Sequence, residues 1–101
     1  MANAARVFRA LADPTRRRIL EELKRGELAA GEIGARFAIS APSISRHLAI
    51  LEAAELVSER RDANRILYRL EPETLIASLN GYLSAVCPTQ RQRRRIAARR
   101  A

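Results

Sequence analysis

Three features of the sequence predict a mainly α chain of four helices, a two-stranded β-hairpin and a fifth helix. Apolar residues recur at helical spacing in five stretches. The period then changes to two over "LVSER" and "RILYRL", on either side of "RDAN". Start and stop residues punctuate the helices between these stretches. With 101 residues, 48% of them apolar, the chain supports one modest core and a single domain, taken as residues 1–88, followed by a basic tail at 89–101.

The first helix follows from "NAARVFRALAD", where Ala4, Val7, Phe8 and Leu11 share a face. The second opens at Asp13, which can accept from first-turn amides, with Pro14 in the N1 position and Gly26 as a left-handed stop. Ile19, Leu20 and Leu23 form its apolar stripe. Arg16 and Arg17 occupy its first turn, where the helix dipole prefers acids, and so read either as a solvated face or as a pointer to an anionic partner. "LAAGEIGARF" is a short third helix with Ile33 and Phe37 inward, and "SAPSISRHLAILEAAE" a fourth, capped by Ser40, with Pro42 in its first turn. Only a few residues near Phe37 to Ser40 separate these two: a helix, a tight turn and a second amphipathic helix. The hairpin follows, turning at an Asp/Asn loop. Glu71 and Pro72 open the last helix, whose stripe of Leu75, Ile76, Leu79, Tyr82, Leu83 and Val86 is broad for so small a protein, and Pro88 ends it.

The net charge of +8 is unevenly placed. Residues 89–101 hold six arginines and no acid, leaving the first 88 residues with 13 basic against 11 acidic side chains. This permits nucleic-acid binding without establishing it. The tail is low in complexity and expected to be disordered, either solvated or resting on phosphates. No stretch resembles a signal peptide or reaches the roughly 18 apolar residues of a membrane span, so a cytoplasmic protein with no membrane partner is expected. One cysteine, Cys87, excludes an intrachain disulfide.

The fourth helix carries the most informative pattern. At 100° per residue, Ile44, Leu48 and Leu51 cluster within about 60° of one another, and Arg46 lies opposite them, flanked by Pro42, Ser43, Ala49 and Ala53. Glu52 is the first acid in the helix. Such a narrow face of small residues around one arginine can approach a major groove, with Arg46 forking onto guanine and Ser43 reaching phosphate or a base edge. Ser45 and His47 lie at the flanks of the apolar stripe, either as partly buried, satisfied polar groups or as phosphate contacts. A metal role for His47 lacks a second ligand nearby. At the hairpin tip, Arg60, Arg61, Asn64 and Arg65 could lie along phosphates or enter a minor groove; alternatively they are a solvated tip.

"FRALADPTRRRILEEL" and "GEIGARFAISAPSISRHLAILEAAELVSERRDANRILYRL" resemble the ArsR/SmtB family of winged helix-turn-helix repressors, within it the SdpR-like autorepressor subgroup rather than the metal sensors. The resemblance covers about residues 4–86. It implies a winged helix-turn-helix fold and a homodimer paired through the first and last helices. Val7, Phe8, Leu11, Leu75, Ile76, Leu79, Tyr82, Leu83 and Val86 would then form the interface. Ser43, Ser45 and Arg46 fall where the family's fourth helix contacts double-stranded DNA, and Arg60, Arg61 and Arg65 fall on its wing. Ala41 and Pro42 replace the glutamine and serine of many metal-sensing relatives, so readout at the helix start must differ.

The resemblance also bears on effectors. Metal sensors of the family carry cysteines in an "ELCVCDL"-like stretch, where this chain has "ELAAGEI", with Ala29 and Ala30. The last helix lacks the family's zinc-ligand spacing, and no cofactor is expected. Cys87 is most simply a small residue at a helix end; a cross-subunit disulfide or weak metal site is the alternative. No phosphate loop or nucleophile and base pairing suggests an enzyme. The expected function is sequence-specific repression from an inverted-repeat operator, its own promoter included. The alternatives are an effector-responsive sensor of the same fold, a protein-interaction module, and a less specific nucleic-acid binder driven by the tail.

Overall fold

The computed structural model describes residues 3–88 and 90–100. Helices α1 (Ala4–Leu11), α2 (Pro14–Leu23), α3 (Ala30–Phe37) and α4 (Ala41–Ala53) precede a hairpin of β2 (Val57–Asp62) and β3 (Arg65–Leu70), then α5 (Pro72–Val86) and α6 (Gln90–Arg100). A short strand β1 (Leu28–Ala29) lies between α2 and α3. Four helices, a hairpin and a long fifth helix are thus present as expected. The cap residues act as read: Asp13 Oδ1 accepts from the amides of Thr15 (2.7 Å) and Arg16 (3.2 Å).

Three details depart from the expectation. The sheet has three antiparallel strands in the order β1-β3-β2, because Leu28 and Ala29 pair with Tyr68 and Leu67 instead of starting the third helix. A two-residue strand has no readable period, and its partner lies far along the chain. The hairpin loop shrinks from four residues to Ala63 and Asn64: Asp62 pairs with Arg65, and Ala63 takes a positive φ of 56°. Residues 90–100 of the tail are helical rather than disordered. Arginine, glutamine and alanine are good helix formers, and no glycine or proline interrupts them.

Ile19, Ile33, Ile44, Leu48, Leu51, Leu56 and Val7 are the largest fully buried side chains, so α1 to α4 close over one core against the base of the wing. α3 is tied to α2 by an Arg36–Glu22 ion pair of 2.7 Å and by Arg18 stacking on the Phe37 ring at 4.8 Å. α5 has no buried residue. It touches the body through Leu75, which packs on the core, and through an edge-to-face contact of Tyr82 with Phe8, centroids 5.2 Å apart. The radius of gyration of 17.5 Å exceeds the roughly 13 Å of a compact domain of this size, since the last two helices stand away from the core.

Candidate nucleic-acid interface

The turn before α4 is set by Ala38, in the left-handed region at φ 53°, and by Gly34, where an added Cβ would lie 3.3 Å from the carbonyl oxygen of Ile39. Ser40 caps α4, its Oγ accepting from the Ser43 amide at 3.4 Å and donating to Ser43 Oγ at 3.1 Å. Ile44, Leu48 and Leu51 are no more than 1% exposed, and they fix the rotation of the helix. Pro42, Ser45, Arg46 and Ala49 consequently face outward, with Ser43 and His47 half-buried at the edges. Among the described residues no acid pairs with Arg46.

Ser45 is exposed, not partly buried as its angle suggested. It borders a cleft between α3 and the start of α4, where Gly31, Gly34, Ala35 and Ala41 are too small to cover it.

Arg17 is exposed, as a solvated face would have it, and Arg16 pairs with an acid of its own helix start, Asp13, at 3.8 Å; both also bond to the end of α1. Arg16 Nε donates to the Ala10 carbonyl at 2.8 Å and its Nη2 to Arg9 at 3.0 Å, while Arg17 Nη1 donates to Leu11 at 2.6 Å. They cap the carbonyls left open at the end of α1, which explains bases in the first turn of α2. The Arg16 side chain, 12% exposed, then reaches His47, with Nη1 3.5 Å from Nδ1. A guanidinium only donates, so in this contact Nδ1 is the side that accepts. His47 thereby links α4 to the α1–α2 corner.

The wing is less free than its sequence implies. Arg60 is clamped by Glu27, with Nε and Nη2 at 2.8 and 2.9 Å from the two carboxylate oxygens. The pairing, chiefly through its hydrogen bonds, holds the Glu27 carboxyl below the usual range and raises Arg60. Arg65 pairs with Glu32 at 2.5 Å, and the same Glu32 oxygen accepts from the Ala29 amide at 2.9 Å. Arg61 and Asn64 are exposed, and Arg61 pairs with no acid among the described residues. Behind the wing, Glu52 on α4 faces Glu59 on β2. Burial, then the hydrogen bond and charge of Glu59, push Glu52 up to about 7, and burial beside these acids raises Tyr68. Sequence reasoning missed all of these acids, because each lies on another element from its partner and no spacing marks the pairs.

The second surface is apolar. Ile76 (52% exposed), Leu79 (37%), Tyr82 (54%), Leu83 (51%) and Val86 (57%) line α5 beside half-buried Phe8. Val7 does not belong to it: fully buried, it is core, since α1 turns that residue against α2 and α4. Leu11 and Leu75 are partly buried against the same core. Cys87 is exposed, and among the described residues no three ligating side chains gather around a metal position. No described helix is long and apolar enough to cross a membrane.

A core-locked helix with an arginine-centred, acid-poor outer face beside an arginine-bearing hairpin defines a winged helix-turn-helix protein of the DNA-binding class. The comparisons agree. A helix-turn-helix domain family matches residues 11–60. The chain is 48% identical over 80 residues to the transcriptional repressor SdpR of Bacillus subtilis, covering 79% of this chain and 89% of that protein. An ArsR-like transcriptional regulator from Rhodococcus superposes with a TM-score of 0.78 at 34% identity, covering 94% and 87% of the two chains. A homodimeric winged helix-turn-helix DNA-binding domain from Mycobacterium bovis, described as a possible ArsR-family regulator, matches at a TM-score of 0.68 and 30% identity, covering 80% and 76%. The chain belongs to the ArsR family of winged helix-turn-helix transcriptional regulators.

Proposed function

We propose that this protein is a homodimeric, sequence-specific repressor that occupies an inverted-repeat operator in double-stranded DNA, its own promoter among the targets, in the cytoplasm. The observation that carries this reading is Arg46: exposed, without an acid partner among the described residues, and centred on a helix face whose rotation the buried Ile44, Leu48 and Leu51 dictate. A guanidinium so placed is preorganised for a two-pronged bond to guanine, with Ser45 and Pro42 passing close to the groove floor and Ser43 near phosphate. Arg61 and Asn64 at the wing tip add contacts beyond the half-site, and His47 positions the helix rather than reading bases.

Dimerisation rests on the exposed face of α5. Leu79, Leu83 and Tyr82 in water would form an apolar strip that a second copy buries, and the homodimeric assembly of the M. bovis domain supports that occupant. A two-fold axis would set the two α4 helices in successive major grooves, so the half-sites should be centred about one or two helical turns apart. Repression then follows from occlusion of the promoter.

Selection of bound duplexes from a random-sequence pool, with sedimentation of the resulting complex, tests both halves of the reading. The expected result is an inverted repeat bound by two chains; recovery of no consensus, or binding of one chain, would count against it.

A further inference from the structure

The basic tail is a helix whose arginines meet no acid among the described residues, although Arg95, Ile96 and Arg99 border a cleft beside the end of α5. α6 runs from Gln90 to Arg100 without an acid, and among the described residues Arg93, Arg94, Arg95 and Arg99 make no ion pair. Like charges stand one turn apart at Arg95 and Arg99, an arrangement that opposes the helix. Eleven residues are also fewer than the roughly 12 that an isolated helix needs to be even marginally stable in water. A segment that is helical against its own repulsion fits a partner that neutralises it.

The distribution of charge indicates which polyanion. At 100° per residue, Arg93, Arg94, Arg95 and Arg99 spread around most of the helix, while Ile96, Ala97 and Ala98 fall between them rather than on one side. A helix lying on an anionic lipid surface needs an apolar face opposite its bases, and α6 has none. A helix that is basic on all sides suits phosphates lying to either side of it, as the two backbones of a duplex do along a groove roughly 12 Å wide. Its length of roughly 16 Å at 1.5 Å per residue is enough to cross one groove. The contacts would be charge alone, since no Asn or Ser accompanies the arginines among residues 93–100.

We propose that α6 is a second, sequence-independent DNA-binding element that grips duplex phosphates outside the half-site read by α4. This rests on the DNA-binding reading above, but it concerns a different surface and a different kind of contact. It anchors the protein without choosing the sequence.

The test replaces Arg93, Arg94 and Arg95 by glutamine in the full chain, keeping helix propensity while removing three charges from each protomer. Binding is measured against salt on the selected duplex and on a random duplex of equal length, with anionic phosphatidylglycerol vesicles as a third arm. Each phosphate contact contributes about 0.9 to the slope of log affinity against log salt, so loss of even two contacts per dimer flattens it by about 2. The expected result is this flattening on both duplexes, with their affinity ratio unchanged. An unchanged slope on both overturns the proposal, and so does a change confined to the vesicles. The random-duplex arm decides the role of α6 even when selection returns no consensus, which is the failure that would sink the repressor reading instead.

Discussion

Arg60 on the wing grips both carboxylate oxygens of Glu27, 33 residues earlier in the chain, through paired hydrogen bonds of 2.8 and 2.9 Å. The wing is therefore held toward the loop before β1, and in the proposed complex phosphate would compete with Glu27 for Arg60. Glu27→Gln removes the competitor and should strengthen binding to random and operator duplexes alike, in a salt-dependent way. The same change alters the acid limb of stability. Arg60 depresses the Glu27 carboxyl in the folded state, so its contribution is present above the unfolded value and is lost as pH falls through the folded one. Wild type should lose more stability than the variant between neutral pH and that low range, and equal losses in urea titrations would contradict the clamp.

Arg46→Ala should abolish the preference for operator over random duplex, costing roughly 1 to 3 kcal/mol per half-site through loss of a forked base contact. Titration of both duplexes at one salt concentration checks this. Equal weakening on the two would reduce Arg46 to a phosphate anchor.

Arg16→Ala should destabilise the fold by roughly 1 to 3 kcal/mol, because the part-buried carbonyl of Ala10 loses its donor. His47 loses its neighbour in the same variant, so operator affinity should fall even where the protein is fully folded. Denaturant midpoints and binding at low temperature separate the two effects.

Glu52→Gln is expected to stabilise the protein at pH 8 and to have only a small part of that effect at pH 5. Burial beside Glu59 raises the Glu52 carboxyl to about 7, so the unfavourable charged form appears only as pH rises from the unfolded value through the folded one. Solvent screening at this half-buried position keeps the gain on the order of 1 kcal/mol. Urea unfolding at the two pH values would show it, and a gain of the same size at pH 5 would remove the explanation.

Leu83→Glu places a charge on the exposed face of α5 without touching the protomer core. Sedimentation should shift from dimer to monomer with unchanged helical content, and operator binding should fall because two half-sites no longer act together. A dimer that survives would assign the apolar face to another partner.

The interface was legible where it depended on one helix. The 3.6-residue period placed Ile44, Leu48 and Leu51 inward and Arg46 outward, and the fold bears this out because a stripe locked into a core leaves the rest of the helix no choice of direction. The wing was legible as a hairpin with arginines at its tip but not as a set of ion pairs. Arg60 and Arg65 look free in one dimension because Glu27 and Glu32 are far away in the chain. Val7 shows the same limit from the apolar side: its position in the first helix's stripe was read correctly, but two surfaces compete for that stripe, and packing assigned Val7 to the core while leaving Phe8 to meet Tyr82.

By itself, then, the sequence determined the succession of helices, hairpin and final helix, the caps at Asp13 and Ser40, and the outward arginine of α4. All of these are set by residues within one or two turns of each other, where periodicity and backbone hydrogen bonding act. Only the tertiary structure decided which arginines are spent inside the molecule. Arg16 and Arg17 close the end of α1, Arg60 and Arg65 hold acids, and Arg46 and Arg61 pair with none among the described residues. A guanidinium binds whatever acceptor the folded chain brings within 3 Å, and that proximity comes from closing the core rather than from any local pattern.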